Sequence, residues 1–205
     1  MGAPGLTTGL RSETFENLQL NAGIVLKNFS YDSITDAAAL KSAIATAKTA
    51  GTNILGATRG GGNFVVTREV REPEADGKRY SFVGGRFIDS ADAKLSTTLI
   101  ELTPGNLQIA LGSADVTTSG SKTTIKMRTE IKDTDYLTNI VWVGNIADGS
   151  LVAIVLYNAF NTADFSLTYT DKGEGTLAVE FHAHQEDVDD YDEAPFEIIK
   201  FGVAA

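Results

Sequence analysis

The stretch from Ile140 to Tyr157 constrains the fold more than any other part of the chain. It contains two apolar runs rich in β-branched residues, separated by Asp148-Gly149. Asp-Gly between such runs is the strongest short-range signal for a β-hairpin. A two-residue turn at this position predicts three apolar cross-strand pairs: Ile146 opposite Leu151, Val143 opposite Ile154, and Trp142 opposite Val155.

Both faces of the predicted hairpin are mostly apolar. One face would carry Ile140, Trp142, Ile146, Leu151, Val155 and Tyr157. The other would carry Val141, Val143, Val152, Ile154 and Leu156. Strands that are apolar on both faces are covered on both sides. We therefore expect this hairpin at the centre of a mainly β domain, with a further layer on each face.

Composition excludes several classes of function. The 205 residues include 17 Lys and Arg against 27 Asp and Glu, a net charge of −10, which argues against binding nucleic acid by phosphate neutralisation. The absence of cysteine excludes disulfides and thiolate metal sites. No apolar run reaches the length of a membrane span, and the first residues lack the pattern of a signal peptide. We expect synthesis in the cytoplasm and no membrane anchor.

Two segments carry helix signals. Thr35 or Asp36 can cap a helix over 35–50 that Gly51 ends, with Ala37, Leu40, Ile44 and Ala47 in one apolar stripe. Thr103-Pro104 predicts a short second helix that reaches Leu111 and stops at Gly112.

The remaining segments alternate between predicted strands and loops. Strands are expected over 16–27 with a bulge at Gly23, and over 64–70, 80–87, 94–102, 123–132, 160–170, 175–184 and 196–201. In 123–132 the inward residues would be Ile125, Met127 and Ile131. Residues 58–63, which include Arg59-Gly-Gly-Gly, are expected to be a flexible lead-in, 114–122 a polar loop, and 68–79 a long loop or extended hairpin tip. With no repeat and no linker in view, we expect an extended arm over 1–12 and one domain over 13–205.

The two histidines are the main candidates for chemistry. On a strand, His182 and His184 share one face with Glu180, and such a set could hold Zn²⁺ or another divalent ion. The opposite face, Leu177, Val179, Phe181 and Ala183, already accounts for this segment as a core strand. The favoured interpretation is a solvated or interface face, and a metal site or a catalytic dyad is the alternative.

No recognised catalytic or cofactor motif is present elsewhere. The acidic run 186–193 has no glycine and lacks the spacing of a calcium loop, and neither a Gly-x-Ser-x-Gly motif nor a dinucleotide-binding fingerprint occurs. We therefore assign no catalytic, cofactor-binding or metal residue and no cofactor, and expect that the chain is not an enzyme.

Three regions resemble the tail tube proteins of tailed bacteriophages. They are residues 21–29 (Asn-Ala-Gly-Ile-Val-Leu-Lys-Asn-Phe), the central segment from Gly144-Asn-Ile-Ala-Asp-Gly149 through Asn158-Ala-Phe160, and the C-terminal phrases Lys172-Gly-Glu-Gly175, Val179-Glu-Phe-His-Ala-His184 and Ala194-Pro-Phe-Glu-Ile-Ile199. The resemblance covers most of the chain, and residues 59–79 carry little of it.

The resemblance implies a β-sandwich or partial barrel flanked by one α-helix. It also implies hexameric rings that stack into a tube, with inner sheets joined around an electronegative lumen through which DNA passes. The implied location is the virion tail, and the implied partners are further copies, the tape measure protein, the tail terminator and, for a contractile tail, a sheath.

Exposed strand edges fit such an assembly, because they become joints when identical neighbours add strands to them. Segments 1–12 and 68–79 are too poor in apolar residues to fold on themselves, so we expect them to form contacts between rings. Two alternatives remain open: another ring-forming component related to such tubes, and a metal-dependent enzyme that uses Glu180, His182 and His184.

Overall fold

The mainly β fold is confirmed. The structure, a computed structural model, describes residues 9–187 and 193–203. The described strands are β1 (Gln19–Lys27), β2 (Thr58–Arg71), β3 (Phe87–Leu99), β4 (Ala114–Ser119), β5 (Lys122–Met127), β6 (Leu137–Ile146), β7 (Leu151–Asn161), β8 (Leu167–Thr168), β9 (Thr176–His182) and β10 (Phe196–Phe201). The described helices are α1 (Ala37–Ala50) and α2 (Pro104–Leu111). Of the predicted arm, only residues 9–12 are described, and all four are exposed.

Eight strands form one antiparallel sheet that folds over on itself at β7. The order is β1-β6-β7-β9-β3-β2, with β10 also paired to β7 and β8 to β9. The first part of β7 pairs with β10, whereas its end, Phe160-Asn161, pairs with Phe181-His182 of β9. We call β1, β6, β7 and β10 the first half-sheet, and β2, β3, β8 and β9 the second. The strands β4 and β5 form a separate hairpin.

Both faces of the central hairpin are covered, as the sequence predicts. Between the two half-sheets lies a core that also contains α2; its buried residues are Val25, Leu55, Leu95, Leu99, Ala110, Ile140, Leu156, Ala159, Leu177, Val179 and Phe181. On the other face of the first half-sheet, α1 closes a second core of Leu26, Phe29, Ala37, Leu40, Ala47, Val141, Val143, Leu151, Ala153, Val155 and Phe201. The result is a sandwich-like partial barrel with one flanking helix.

The predicted register of the central hairpin is wrong by one residue. β6 and β7 pair with Asn145 opposite Leu151, not Ile146 opposite Leu151. The loop has three residues, because the amide of Gly149 donates to the carbonyl of Ile146 and Gly149 takes a φ of 89°, as in a type I turn followed by a bulge.

This difference exchanges the two faces of β7, because side chains alternate along a strand. The observed pairs are Trp142 opposite Ile154, Val143 opposite Ala153, and Val141 opposite Val155. Val152, Ile154 and Leu156 therefore face the same side as Ile140 and Trp142, while Leu151, Val155 and Tyr157 face the helix side with Val141 and Val143.

Both helices begin and end where their capping residues predict. The Asp36 carboxylate accepts the Ala39 amide over 2.8 Å, and Gly51 ends α1 with a left-handed φ of 64°. Thr103 caps α2, with its hydroxyl accepting the Asn106 amide over 3.2 Å.

Three predicted segments differ from the structure. Residues 58–63 belong to β2, whose register shifts between Thr58 and Gly62, so the glycines form a bulge in a strand and not a lead-in. Residues 80–86 form a loop, and β3 starts at Phe87, because Gly84 with a φ of 83° closes a tight turn. Residues 114–119 form β4 and not a loop.

The strands predicted over 123–132 and 160–170 are also shorter than expected. The inward positions Met127 and Ile131 are 70% and 57% exposed. Among the described strands β5 pairs with β4 alone, and it ends at Met127, before Ile131. In 160–170, β7 ends at Asn161, and only Leu167–Thr168 forms a further strand.

Candidate functional site

The predicted histidine face contains a charged cluster on the outer surface of the second half-sheet. His182 Nδ1 lies 2.9 Å from Asp92 Oδ1, and His182 Nε2 lies 3.3 Å from Glu180 Oε1. Lys94 Nζ lies 3.4 Å from the same Glu180 oxygen. The hydrogen bond with His182, and more weakly the one with Lys94, lowers the pKa of Glu180. The cluster ties β3 to β9 and keeps a carboxylate charged.

His184 has a different environment from His182 because β9 ends at His182. Its Nδ1 lies 3.0 Å from the carbonyl oxygen of Asn158, and its ring meets that of Tyr136 edge-on at 5.1 Å. Within residues 9–187 and 193–203, no three His, Asp or Glu side chains are grouped so that they could hold a metal ion. The metal-site alternative therefore gains no support from this face. Of the acidic run 186–193, residues 188–192 lie outside the described residues.

A long two-stranded ribbon is the most prominent surface feature of the described chain. β9 pairs with β3 from Lys94 to Leu99, and just beyond it the Ala183 amide donates to the Ala93 carbonyl over 3.0 Å. In the described part of the chain, residues 87–92 of β3 therefore pair with β2 alone. At about 3.3 Å per residue, this ribbon extends roughly 20 Å beyond the second half-sheet. We call residues 68–89 the projecting hairpin. All of them are exposed except Glu72, Lys78 and Gly85, which are half-buried.

Glu72 organises the loop at the end of the projecting hairpin. Its carboxylate lies 2.5 Å from Lys78 Nζ and 3.4 Å from Arg86 Nε, and it accepts the Ser81 hydroxyl over 3.0 Å. These hydrogen bonds, first that of Lys78, lower the pKa of Glu72. At the base of the loop, Arg71 pairs with Asp89 at 2.9 Å. The loop is therefore held in one shape although it has no core.

The end of this loop presents apolar side chains to solvent. Residues 80–85 read Tyr-Ser-Phe-Val-Gly-Gly and carry no charge; we call them the tip. The amide of Gly85 donates to the carbonyl of Phe82 over 3.1 Å, and Gly84 has a positive φ, as in a type II turn. Val83 at the corner of this turn is fully exposed, and Phe82 is 66% exposed.

A second surface that the chain leaves uncovered lies where the edge of β1 in the first half-sheet meets the edge of β2 in the second. Residues 53–55 cover the end of β1, through the bridge between Leu26 and Ile54, but its first half has no such cover. There β1 and the first half of β2 border a cavity of about 330 Å³, which we call the cleft. Its apolar floor consists of Val25, Phe64, Leu95, Trp142 and Ile154.

Bulges in both bordering strands shape the cleft. The register of β1 shifts between Leu20 and Ile24, and that of β2 between Thr58 and Gly62. Bulges bend a strand and increase its twist, so the two edges diverge instead of pairing. The rim is polar, with Gln19, Asn21 and Asn63, and no residue that lines the cleft is charged.

The two half-sheets differ in what covers their outer faces. α1 packs on the first half-sheet and completes the second core. The second half-sheet presents Asp92, Lys94, Glu180 and His182 on its outer face, all exposed or half-buried. In the described part of the chain, no helix is long and apolar enough to cross a membrane.

No protein-family model matches the chain, and no curated protein matches it.

The sequence indicates the histidine face and the loop 68–79 but not the tip or the cleft. The uncharged six-residue run between Arg79 and Arg86 is the signal that could have located the tip. The cleft depends on contacts between β1 and β2, which are far apart in the chain, so only the two bulge glycines, Gly23 and Gly61, point to it.

Proposed function

We propose that the chain is a structural subunit that assembles into hexameric rings, and that the rings stack into the tail tube of a bacteriophage or a phage-like particle. The sequence resemblance to tail tube proteins supplies the kind of assembly. The proposal places the protein in the virion tail, after synthesis in the bacterial host cytoplasm. DNA would be in contact with it only while passing through the lumen.

The projecting hairpin is the observation that carries the proposal. An isolated two-stranded ribbon is marginally stable in water, and exposed apolar side chains at its end add nothing to the stability of a single chain. A ribbon whose loop is nevertheless fixed by Glu72 and its partners is suited to contact another molecule. In a tube of stacked rings, that molecule is a copy in the next ring.

Open strand edges support ring formation. Within the described residues, β10 and the second half of β2 each pair with one strand only. Strand addition between neighbours would satisfy their free backbone groups. Because the edges differ, the contact is heterologous, and such a contact closes into a ring when its rotation allows.

Charge supports passage of DNA rather than retention. The chain carries a net charge of −10, so a lumen built from six copies would repel the phosphate backbone of DNA. The outer face of the second half-sheet is polar, and no helix of the described chain covers it, as a water-filled lumen requires. We therefore assign this face, with Asp92 and Glu180, to the lumen, and the α1 side to the outside of the tube. The tape measure protein, the terminator and a sheath would be partners of this assembly.

Electron microscopy of the purified protein over a range of concentrations tests the proposal. We expect hollow tubes with six subunits per ring, and a rise in mass with concentration by light scattering. Discrete rings that never stack would indicate a different ring-forming tube component. A monomer at every concentration would contradict the proposal.

A further inference from the structure

The tip and the cleft are matched in chemistry. Each lacks charged residues, although 44 of the 205 residues of the chain are Asp, Glu, Lys or Arg. The tip offers Phe82 and Val83 at a fixed turn, and the cleft offers an apolar floor with Trp142 and Ile154 below its opening. In the single chain, the apolar side chains of the tip are exposed to solvent.

We infer that the cleft is the receptor for the tip of a second copy of this chain. Phe82 and Val83 of one subunit would enter between β1 and β2 of another and cover Trp142. This inference rests on the proposed self-assembly and adds the identity of the contact between rings. A tip on one side and a cleft on another form a heterologous contact, which propagates along a stack without limit.

The distribution of charge favours this occupant. The projecting hairpin carries five basic and five acidic residues and is neutral, so the rest of the chain, with 12 basic and 22 acidic residues, holds the whole charge of −10. Two acidic bodies repel each other, whereas a neutral hairpin can approach an acidic body without that cost. The contact between rings is thus made by the part of the chain that is not repelled.

The size of the cleft also suits the side chains of the tip. A cavity of about 330 Å³ lies at the lower end of the range for small-molecule sites, which accommodates a few side chains but not a folded domain.

Variants of the full chain test the tip and the cleft separately. Val83→Glu places a charge on the tip, with Val83→Thr as its isosteric control. Ala22→Glu places a charge in the cleft, with Ala22→Ser as its control and Gln19→Glu as a second cleft variant. All three positions are exposed, so the fold should persist, which circular dichroism checks. Val116→Glu on β4 introduces the same charge on an exposed apolar residue elsewhere.

We expect Val83→Glu and Ala22→Glu each to raise the concentration needed for tube formation at least tenfold, while the three controls leave it within about twofold. Trp142 is the only tryptophan, so its emission reports on the cleft. It should shift to the blue as the wild-type protein assembles and should not shift in Val83→Glu.

Mixing the two variants gives the sharpest test. Val83→Glu retains an intact cleft and Ala22→Glu an intact tip, so a mixture can form one productive contact but cannot extend it. We expect a discrete species with twice the mass of what either variant forms alone, and no long tubes.

The outcomes distinguish the two proposals. If wild-type protein forms tubes and Ala22→Glu or Val83→Glu forms them equally well, or if the mixture behaves as the sum of its parts, the tip–cleft contact is wrong and the tube function stands. If wild-type protein stays monomeric with an unchanged Trp142 emission, both are wrong.

Discussion

The indole nitrogen of Trp142 donates a hydrogen bond to the carbonyl oxygen of Ala22 over 2.8 Å. This bond joins β6 to the bulge of β1 and fixes the indole at the floor of the cleft. The bulge can approach the indole closely because the next residue is Gly23, with a φ of 77°. A side chain at position 23 would have its Cβ 2.5 Å from the carbonyl oxygen of Val143 and 2.6 Å from Trp142 Nε1.

Gly23→Ala should therefore destabilise the protein by about 3 kcal/mol, the sum of backbone strain and overpacking. Urea unfolding measures the change. Gly51→Ala is the matched control, because Gly51 also has a left-handed φ but no atom lies within 4 Å of its added Cβ; it should cost about 1 kcal/mol. Equal costs at the two positions would show that the contact with Trp142 is not tight.

Asn139 on β6 connects a strand to the loop after β1. Its side chain accepts the Phe29 amide over 2.8 Å and donates to the Phe29 carbonyl over 2.9 Å, and both residues are buried. Asn139→Ala should cost about 3 kcal/mol in urea unfolding, because two buried backbone groups lose their partner. The exposed Asn145 of the same strand is the control. Asn145→Ala should change the free energy of unfolding by no more than about 0.5 kcal/mol.

Glu180 should make stability depend on pH. Its pKa is lowered in the folded protein from 4.5, mainly by the hydrogen bond with His182. The resulting stabilisation is present above the unfolded pKa and is lost as the pH falls through the folded pKa. Because the side chain is one third exposed, Glu180→Gln should lower the unfolding free energy at pH 7 by less than about 1 kcal/mol.

The test compares urea midpoints at several pH values. The difference between wild type and Glu180→Gln should shrink as the pH is lowered from 5 to 3. Glu130→Gln removes the same charge at an exposed position away from His182 and should show no such trend. A difference that persists at low pH would show that the carboxylate acts through packing and not through charge.

The N-terminal residues should be needed for stacking and not for folding. A variant that begins at Glu13 lacks residues 1–12, of which the described ones, 9–12, are exposed. We expect an unchanged urea midpoint and no long tubes in electron micrographs. A full-length variant with the order of residues 1–12 scrambled controls for length. Long tubes from the shortened chain would contradict the assignment of this segment to contacts between rings.

Local chemistry explains which elements the sequence could predict. α2 and β10 have the predicted ends, and α1 ends at Ala50 as predicted but begins at Ala37, after Asp36, the second of its two candidate caps. These ends are predictable because capping residues and alternation act within a few residues of the chain. The hairpin β6–β7 was predicted, but its register was not, because Asp-Gly suits both a two-residue turn and the observed three-residue loop. β4 was missed because its Thr and Ser residues show no apolar alternation.

The candidate surfaces were harder to predict than the elements. Glu180 and His182 lie together as strand alternation implies, but their partners Asp92 and Lys94 come from β3, about 90 residues earlier, and no local pattern connects them. The cleft likewise requires two distant bulges to face each other. Such features depend on strand order, which the sequence pattern does not specify.

The bends that glycine introduces into β1 and β2 have a consequence for a protein made in many copies. Fibril growth of the amyloid kind needs straight, flat borders that accept any passing strand. A curved strand edge pairs only with a segment of complementary curvature. At high concentration the protein therefore assembles in an ordered way instead of precipitating.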